Sequence, residues 1–288
     1  MSIFRSHLDT GSDDYQADRQ AMQALVDELE ARQAQARAGG GEPGAQKFRE
    51  QEKLLPRERL ELLLDPATPF LELSPLAADG MYDGESPAAS QITGIGVVSG
   101  VECMLFANDA SVKGGAVFPM TLQKTLRAQA IAQENRLPCI SLVESAGANL
   151  LYQDEIFILG GRTFANQARM SALGIPQIAL VFGSSTAGGA YVPGMSDYVV
   201  MVRGQAKVFL GGPPLVKMAT GEEVDDETLG GATMHARVSG VSDYTAENDA
   251  DAIRIGRLIV ANLNQAKPLV CLERWQPPQE PRYDPDEL

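Results

Sequence analysis

The chain reads as an α/β protein, with a largely parallel sheet layered between helices. Three observations predict this. From Ile92 onward, short apolar runs rich in β-formers and punctuated by glycine alternate with helical periods. One strand-then-turn pattern occurs twice, from Ile140 to Ala148 and from Ile178 to Gly189, with starts 38 residues apart, the length of one right-handed crossover unit. The segment before residue 66, in contrast, carries helical periodicity alone.

From about Asp14 to Ala38 the sequence is rich in Ala, Gln, Glu and Arg, with Met22, Leu25, Val26 and Leu29 at helical spacing. Gly39, Gly40 and Gly41 and the Pro43–Gly44 pair end this helix. A second helix is expected from Ala45 to about Lys53. A third opens on Pro56 at its first turn, carries Leu60, Leu62, Leu63 and Leu64, and stops at Asp65–Pro66. Residues 1–65 are thus expected to form a helical arm laid on the body that follows. Ile92–Val98 and Val101–Ala107 flank Ser99–Gly100, a two-residue connection typical of a hairpin. The spacing then predicts a helix over Thr121–Glu134, a buried strand over Cys139–Val143, a helix over Arg162–Leu173 and a strand over Gln177–Phe182. Further strands are expected at Tyr198–Val202 and Lys207–Leu210. A last helix, from about Glu247 to Asn264, puts Ile253, Leu258, Ile259 and Leu263 on its apolar side.

Composition narrows the function. Lys and Arg number 24 against 38 Asp and Glu, a net charge of -14 that repels phosphate backbones and anionic lipid, so neither nucleic acid nor a membrane is an expected partner. The two histidines, His7 and His235, and the three scattered cysteines provide no clustered ligand set, so no metal is expected. Cys103, Cys139 and Cys271 form no C-x-x-C pair and sit in apolar runs as free thiols. The N-terminus has no apolar segment of the signal-peptide kind, and no apolar run reaches bilayer-spanning length; a cytoplasmic location is the expectation.

The repeated strand–turn unit carries the chemistry. A chain leaving the C-terminal end of a strand for a helix exposes unpaired backbone N–H groups, and two adjacent copies aim two sets of donors at one spot. Gly147 with Ala148, and Gly188 with Gly189, would then form an oxyanion hole, small residues being required because the backbone must come within about 3 Å of the substrate oxygen. Spacing alone leaves open the alternative that these glycines only permit tight strand–helix packing. Three other patterns compete. Gly94, Gly96 and Gly100 miss the dinucleotide fingerprint, because the third glycine comes one place late and the run falls in a hairpin. Gly183–Ala187 approaches a nucleophile elbow around Ser185, which would need His235 as its base. The acidic pairs Asp154–Glu155 and Glu222–Glu223 read as general acid or base groups or as solvated faces.

Taken together, several motifs resemble one family: Lys53–Arg59 followed by the leucine-rich helix, Asn108–Gly115, Ser184–Pro193, Met195–Asp197, and Phe209–Lys217 with Gly221–Val224. In this order they resemble the biotin-dependent acyl-CoA carboxylases, in the N-terminal half of the carboxyltransferase (β) subunit. The wording at Val112–Gly115 and Ala190–Pro193 is similar to the methylcrotonyl-CoA and geranyl-CoA branch.

The resemblance implies a crotonase-like ββα spiral domain over residues 66–275, the helical arm at 1–65, and a linker at 276–288 leading towards a C-terminal half. It implies a carboxyl transfer from carboxybiotin, held on a separate carrier domain, to a coenzyme A thioester; the ureido anion is then the base, which accounts for the shortage of histidines. Gly147, Ala148, Gly188 and Gly189 align with the family's two oxyanion turns. Lys53, Arg57 and Arg59 fall in the segment near the CoA site, where phosphate contact and exposed helix charges are both open readings, and Lys113 beside Gly114–Gly115 is equally ambiguous. Ala187, Ala190, Tyr191 and Val192 are expected in the pocket wall. Expected partners are acyl-CoA, a biotin carboxylase and biotin carrier subunit, a C-terminal half or second chain, and further copies in an oligomer. Departures at Glu144, Ala146, Asn149–Tyr152, Ser185 and Gly194 bear on acyl-chain preference. An acyl-CoA decarboxylase or hydratase on the same fold, and a non-catalytic assembly half, are the alternatives.

Overall fold

Helices come first, as the periodicity predicts. The computed structural model describes residues 9–265, which fall into two compact units, 9–34 and 35–265. The first unit holds most of α1 (Asp13–Arg37), whose Asp13 and Asp14 complement the helix dipole at the start and whose Met22, Leu25, Val26 and Leu29 are exposed. His7, Cys271 and the expected linker at 276–288 lie outside the described residues.

In the second unit α2 (Gly41–Glu50) begins before the expected Ala45, because Pro43 and Gly44 fit its first turn. The glycines serve close approach instead: a Cβ on Gly40 would sit 2.1 Å from the Ser111 carbonyl oxygen, and one on Gly44 2.9 Å from it. Helix α3 (Pro56–Leu63) opens on its proline and buries Leu60, Leu63 and Arg59. Strands β1 (Leu71–Leu73), β2 (Gln91–Val98) and β3 (Val101–Asn108) form an antiparallel edge. At the expected hairpin both turn residues, Ser99 and Gly100, take positive φ, the turn that matches strand twist. The Asp65 carboxylate accepts their amides at 2.8 and 2.7 Å and pairs with Arg257 at 2.7 Å.

After a short β4 (Ala116–Val117), the alternation takes over: α4 (Pro119–Asn135), β5 (Cys139–Ser145), β6 (Gly147–Ala148), α5 (Gln153–Ala172) and β7 (Gln177–Thr186). Helix α5 starts well before the expected Arg162. Asn149 accepts the Leu151 amide and starts the turn, and Gly160–Gly161 lie inside the helix. Helix α6 (Tyr191–Gly194), β8 (Tyr198–Val202), β9 (Lys207–Phe209), α7 (Pro213–Thr220), α8 (Asp226–Gly230), α9 (Ala232–Met234), β10 (Tyr244–Ala246) and α10 (Asp249–Ala261) complete the unit.

The main sheet runs β1-β2-β3-β5-β7-β8-β10, parallel from β3 onward, with β9 added on β7, while β4 and β6 pair separately. Leu60 and Leu63 of α3 and Ile253, Ile255, Ile259 and Val260 of α10 join one core cluster with β5, β7 and β8, which leaves α4 and α5 to bury Ala128, Ala132 and Met170 in a second cluster with Met104, Phe106 and Cys139. Cys103 and Cys139 are free and buried, and burial pushes both thiols up to about 12. No described helix is long and apolar enough to cross a membrane.

Asp65→Ala removes both amide acceptors of the hairpin turn and the partner of Arg257. The expected loss is about 2 kcal/mol of unfolding free energy, read by urea denaturation, with the slope of the transition unchanged.

Candidate functional site: two backbone turns on one cavity

Up to Val143 and Val181, strands β5 and β7 pair residue for residue; the next matched pair is Ser145 with Ser185. Phe182, Gly183 and Ser184 therefore bulge opposite the single residue Glu144. At this point β7 also exchanges its other neighbour, residues 178–181 pairing with β8 and residues 184–186 with β9. Both glycine turns begin just past the bulge. Ser145 Oγ donates to the Gly115 carbonyl at 2.8 Å and accepts the Gly147 amide at 3.1 Å, while Ser185 Oγ donates to the Gly189 carbonyl at 2.8 Å. A Cβ built on Gly147 would lie 3.3 Å from the Thr186 carbonyl oxygen, and one on Gly189 3.6 Å from Ser145 Cβ, so the two turns pack directly on each other. Gly147 has φ +91°, which requires glycine, and Ala187 enters the second turn in the left-handed region at φ +53°.

Gly147, Ala148, Gly188 and Gly189 border one cavity of about 150 Å³ that extends between the sheet and helices α4 and α5. Its apolar wall includes Leu122, Ile156, Phe164, Met170 and Val192. Its amides are already engaged: Gln91 accepts from Thr125 at 2.7 Å, Gln129 donates to the Thr163 carbonyl at 3.1 Å, and Gln167 donates to the Val192 carbonyl at 3.0 Å. Among the described lining residues none is ionisable. Beside the cavity, Leu150, Leu151, Phe157 and Ile158 are exposed apolar side chains adjoining Ala148 and Ile156 in sequence.

The residues expected to bind substrate divide into two groups. Gly114 and Gly115, both at positive φ, press on the first turn: Gly114 accepts the Ala146 amide at 2.9 Å, and a Cβ on Gly115 would be 2.3 Å from the Glu144 carbonyl oxygen. Lys113 stands exposed beside them, 2.8 Å from Glu85. Ala187 is exposed, Ala190 is buried, Tyr191 stacks on Phe164 with ring centres 4.7 Å apart, and Val192 lines the cavity. The cations at residues 53–59 are placed elsewhere. Arg57 forms a fork with Glu72 at 3.0 and 2.9 Å. Arg59 is 1% exposed; it reaches Glu144 through Nη1 and Asp249 through Nε, each at 2.8 Å, and lies 4.3 Å from the centre of the Phe182 ring. Lys53 Nζ meets the other Glu144 oxygen at 2.6 Å. Burial works to raise the Glu144 carboxyl, and the charges of Arg59 and Lys53, with hydrogen bonds from both, outweigh it and hold it below the ordinary 4.5.

The nucleophile-elbow reading ends here. Ser185 is buried and bonded to Gly189, and the ring nitrogens of His235 are taken by Ser239 Oγ and the Val208 carbonyl, each at 2.7 Å. Sequence reasoning missed the structural role of Glu144, for which the one signal is a carboxylate directly after the buried strand expected at Cys139–Val143.

The carboxyl transferase domain family matches residues 47–288. The chain is 57% identical over 286 residues to a probable biotin-dependent acyl-coenzyme A carboxylase beta2 subunit of Mycobacterium tuberculosis, covering 99% of this chain and 53% of that protein. It is 55% identical over 269 residues to the biotin-dependent 3-methylcrotonyl-coenzyme A carboxylase beta1 subunit of the same organism, covering 92% and 50%. Among solved structures, the beta subunit of Pseudomonas aeruginosa geranyl-CoA carboxylase superposes with a TM-score of 0.79 at 50% identity, over 91% of this chain and 49% of that one. The transcarboxylase 12S hexamer with methylmalonyl-coenzyme A bound gives 0.77 at 30% identity, over 83% and 47%. The chain thus spans about half the length of the relatives it matches.

Because the folded-state affinity of Glu144 for protons is depressed, its ion pairs contribute fully above about pH 4.5 and are lost as pH falls through the lowered value. Urea stability measured against pH is expected to drop on that acid limb, and less steeply in Glu144→Gln.

Proposed function

The chain belongs to the carboxyl transferase domain family, and from that membership we propose that it is the acyl-CoA-binding half of a carboxyltransferase in a biotin-dependent acyl-CoA carboxylase. The crotonase-like fold read from the sequence agrees with its structural neighbours. One observation carries the proposal: two backbone turns meet on a largely apolar cavity lined by no ionisable side chain among the described residues. Such a site binds and polarises a thioester and provides no side-chain base.

The donor set fits biotin as the missing reactant. Carboxybiotin, when bound, supplies the carboxyl group and a ureido nitrogen basic enough to take the acyl α-proton, or the γ-proton of a conjugated enoyl thioester. The chain's own residues do the rest. Ala148, Gly188 and Gly189 bring backbone amides to the thioester oxygen and stabilise the enolate charge as it forms, while Gly147, whose amide is held by Ser145 Oγ, shapes the first turn. Leu122, Ile156, Phe164 and Val192 hold the acyl group and exclude water. Lys113 beside Gly114, and Tyr191 stacked on Phe164, contact the CoA moiety. An apolar cavity favours a branched or unsaturated hydrocarbon acyl group, in keeping with relatives named for 3-methylcrotonyl and geranyl thioesters. The biotin carrier and a second carboxyltransferase half, on the same or another chain, are the proposed partners, and the apolar side chains Leu150, Leu151, Phe157 and Ile158 support such a covering surface.

Titration calorimetry of the chain with 3-methylcrotonyl-CoA and with free CoA tests this. The thioester is expected to bind more tightly than CoA. Gly188→Val, whose Cβ would meet only the Phe164 ring at 3.6 Å, is expected to fold and to lose that preference. In the assembled carboxylase the same change is expected to cost about 10²- to 10³-fold in turnover. Absence of thioester binding by the wild-type chain contradicts the proposal.

A further inference from the structure

Behind the turns, on the side of the sheet away from the cavity, a buried ionic cluster gathers groups from four distant parts of the chain. Glu144 comes from β5, Arg59 from α3 and Lys53 from the segment before it, Asp249 from the first residue of α10, and Phe182 from the bulge of β7. The Glu144 side chain lies across β7 at Gly183, where a Cβ would fall 2.4 Å from its Oε1; no other residue type leaves room for it. On its other side the Glu144 backbone is pressed by Gly115. Within the cluster Arg59 Nη2 and Asp249 Oδ1 lack partners, so that contact is single, whereas both Glu144 oxygens are engaged. The carboxylate of Glu144 is therefore the fixed point of the cluster, and the bulge forms around it.

Resting on the reading of the turns as the thioester site, we propose that Glu144, gripped by Arg59 and Lys53, is a positioning residue for both turns. It holds Phe182–Ser184 bulged out, so that Ser145 and Ser185 meet at one level and Gly147 comes into contact with Thr186. It touches no substrate: the cavity lining passes from Val143 to Ser145 without it. Lys53 and Arg59 act on the site from behind through this carboxylate.

Hydrogen–deuterium exchange on the whole chain separates positioning from bulk stability. In Glu144→Gln, which keeps the shape and removes the charge, amides of residues 145–149 and 184–190 are expected to exchange about tenfold faster or more, with residues 91–107 of the hairpin unchanged. Asp65→Ala should show the reverse pattern. Affinity for 3-methylcrotonyl-CoA is expected to fall about tenfold in Glu144→Gln with free CoA affinity unchanged, since only the thioester oxygen reads the turns. Arg59→Lys, which retains charge and loses the guanidinium geometry, carries the same comparison if Glu144→Gln does not fold. Unchanged exchange at the two turns, or an increase spread evenly along the chain, overturns the proposal. A wild-type chain that binds no thioester defeats the functional reading, and the exchange comparison still decides the positioning role.

Discussion

A carboxylate buried in the middle of a sheet is the constraint on which this structure turns. Moving an ionised group out of water costs several kcal/mol unless charge and hydrogen bonds meet it, and breaking such a pair by removing one partner costs about 3–5 kcal/mol. Glu144 is met from two sides, by Lys53 at 2.6 Å and Arg59 at 2.8 Å. Arg59 must then be shielded too, and it is: Asp249 takes its Nε, and the rings of Phe182 and Phe48 lie against the guanidinium. Helices α3 and α10 cover this face with leucine and isoleucine, and the Arg59–Asp249 pair ties the two helices to each other.

From that fixed point the site follows by geometry. The Glu144 side chain needs the notch at Gly183, the notch makes the bulge, and the bulge lets β7 leave β8 for β9. Past it the backbone takes conformations that other residues avoid: Lys113, Gly114 and Gly115 in sequence at positive φ, then Gly147, then Ala187. Left-handed backbone at non-glycine positions costs on the order of 1–2 kcal/mol each, and here it lies beside the two turns that border the cavity. The strain, the small residues and the non-ionisable lining are consistent with a site that works through backbone amides and leaves proton transfer to a bound reactant.

Much of this was legible in the sequence, and the limits have physical reasons. The strands Cys139–Val143 and Gln177–Phe182 and the Ser99–Gly100 hairpin follow from local pattern, and the echo between Ile140–Ala148 and Ile178–Gly189 correctly placed the two turns side by side. Helix α5 begins at Gln153 and not at the expected Arg162; Gly160–Gly161 lower helix propensity locally, a cost that its packing overrides. Lys53 and Arg59 could be seen as cations in an acidic chain, yet their partner Glu144 lies 91 and 85 positions away, a pairing that no local spacing encodes. The bulge was equally hidden, since Gly183 reads as one more glycine in a glycine-rich turn until the Glu144 carboxylate occupies its place.

The central claim is that Arg59 and Glu144 act as one unit. A double-mutant cycle with Arg59→Leu, Glu144→Leu and the pair together, read by urea denaturation at neutral pH, tests it most directly. Each single variant leaves the other buried ion with one counterpart in place of two, Lys53 for Glu144 and Asp249 for Arg59, so a coupling energy of about 2 kcal/mol or more is expected, with the double variant more stable than the sum of the singles requires. Additivity within about 0.5 kcal/mol would contradict the account.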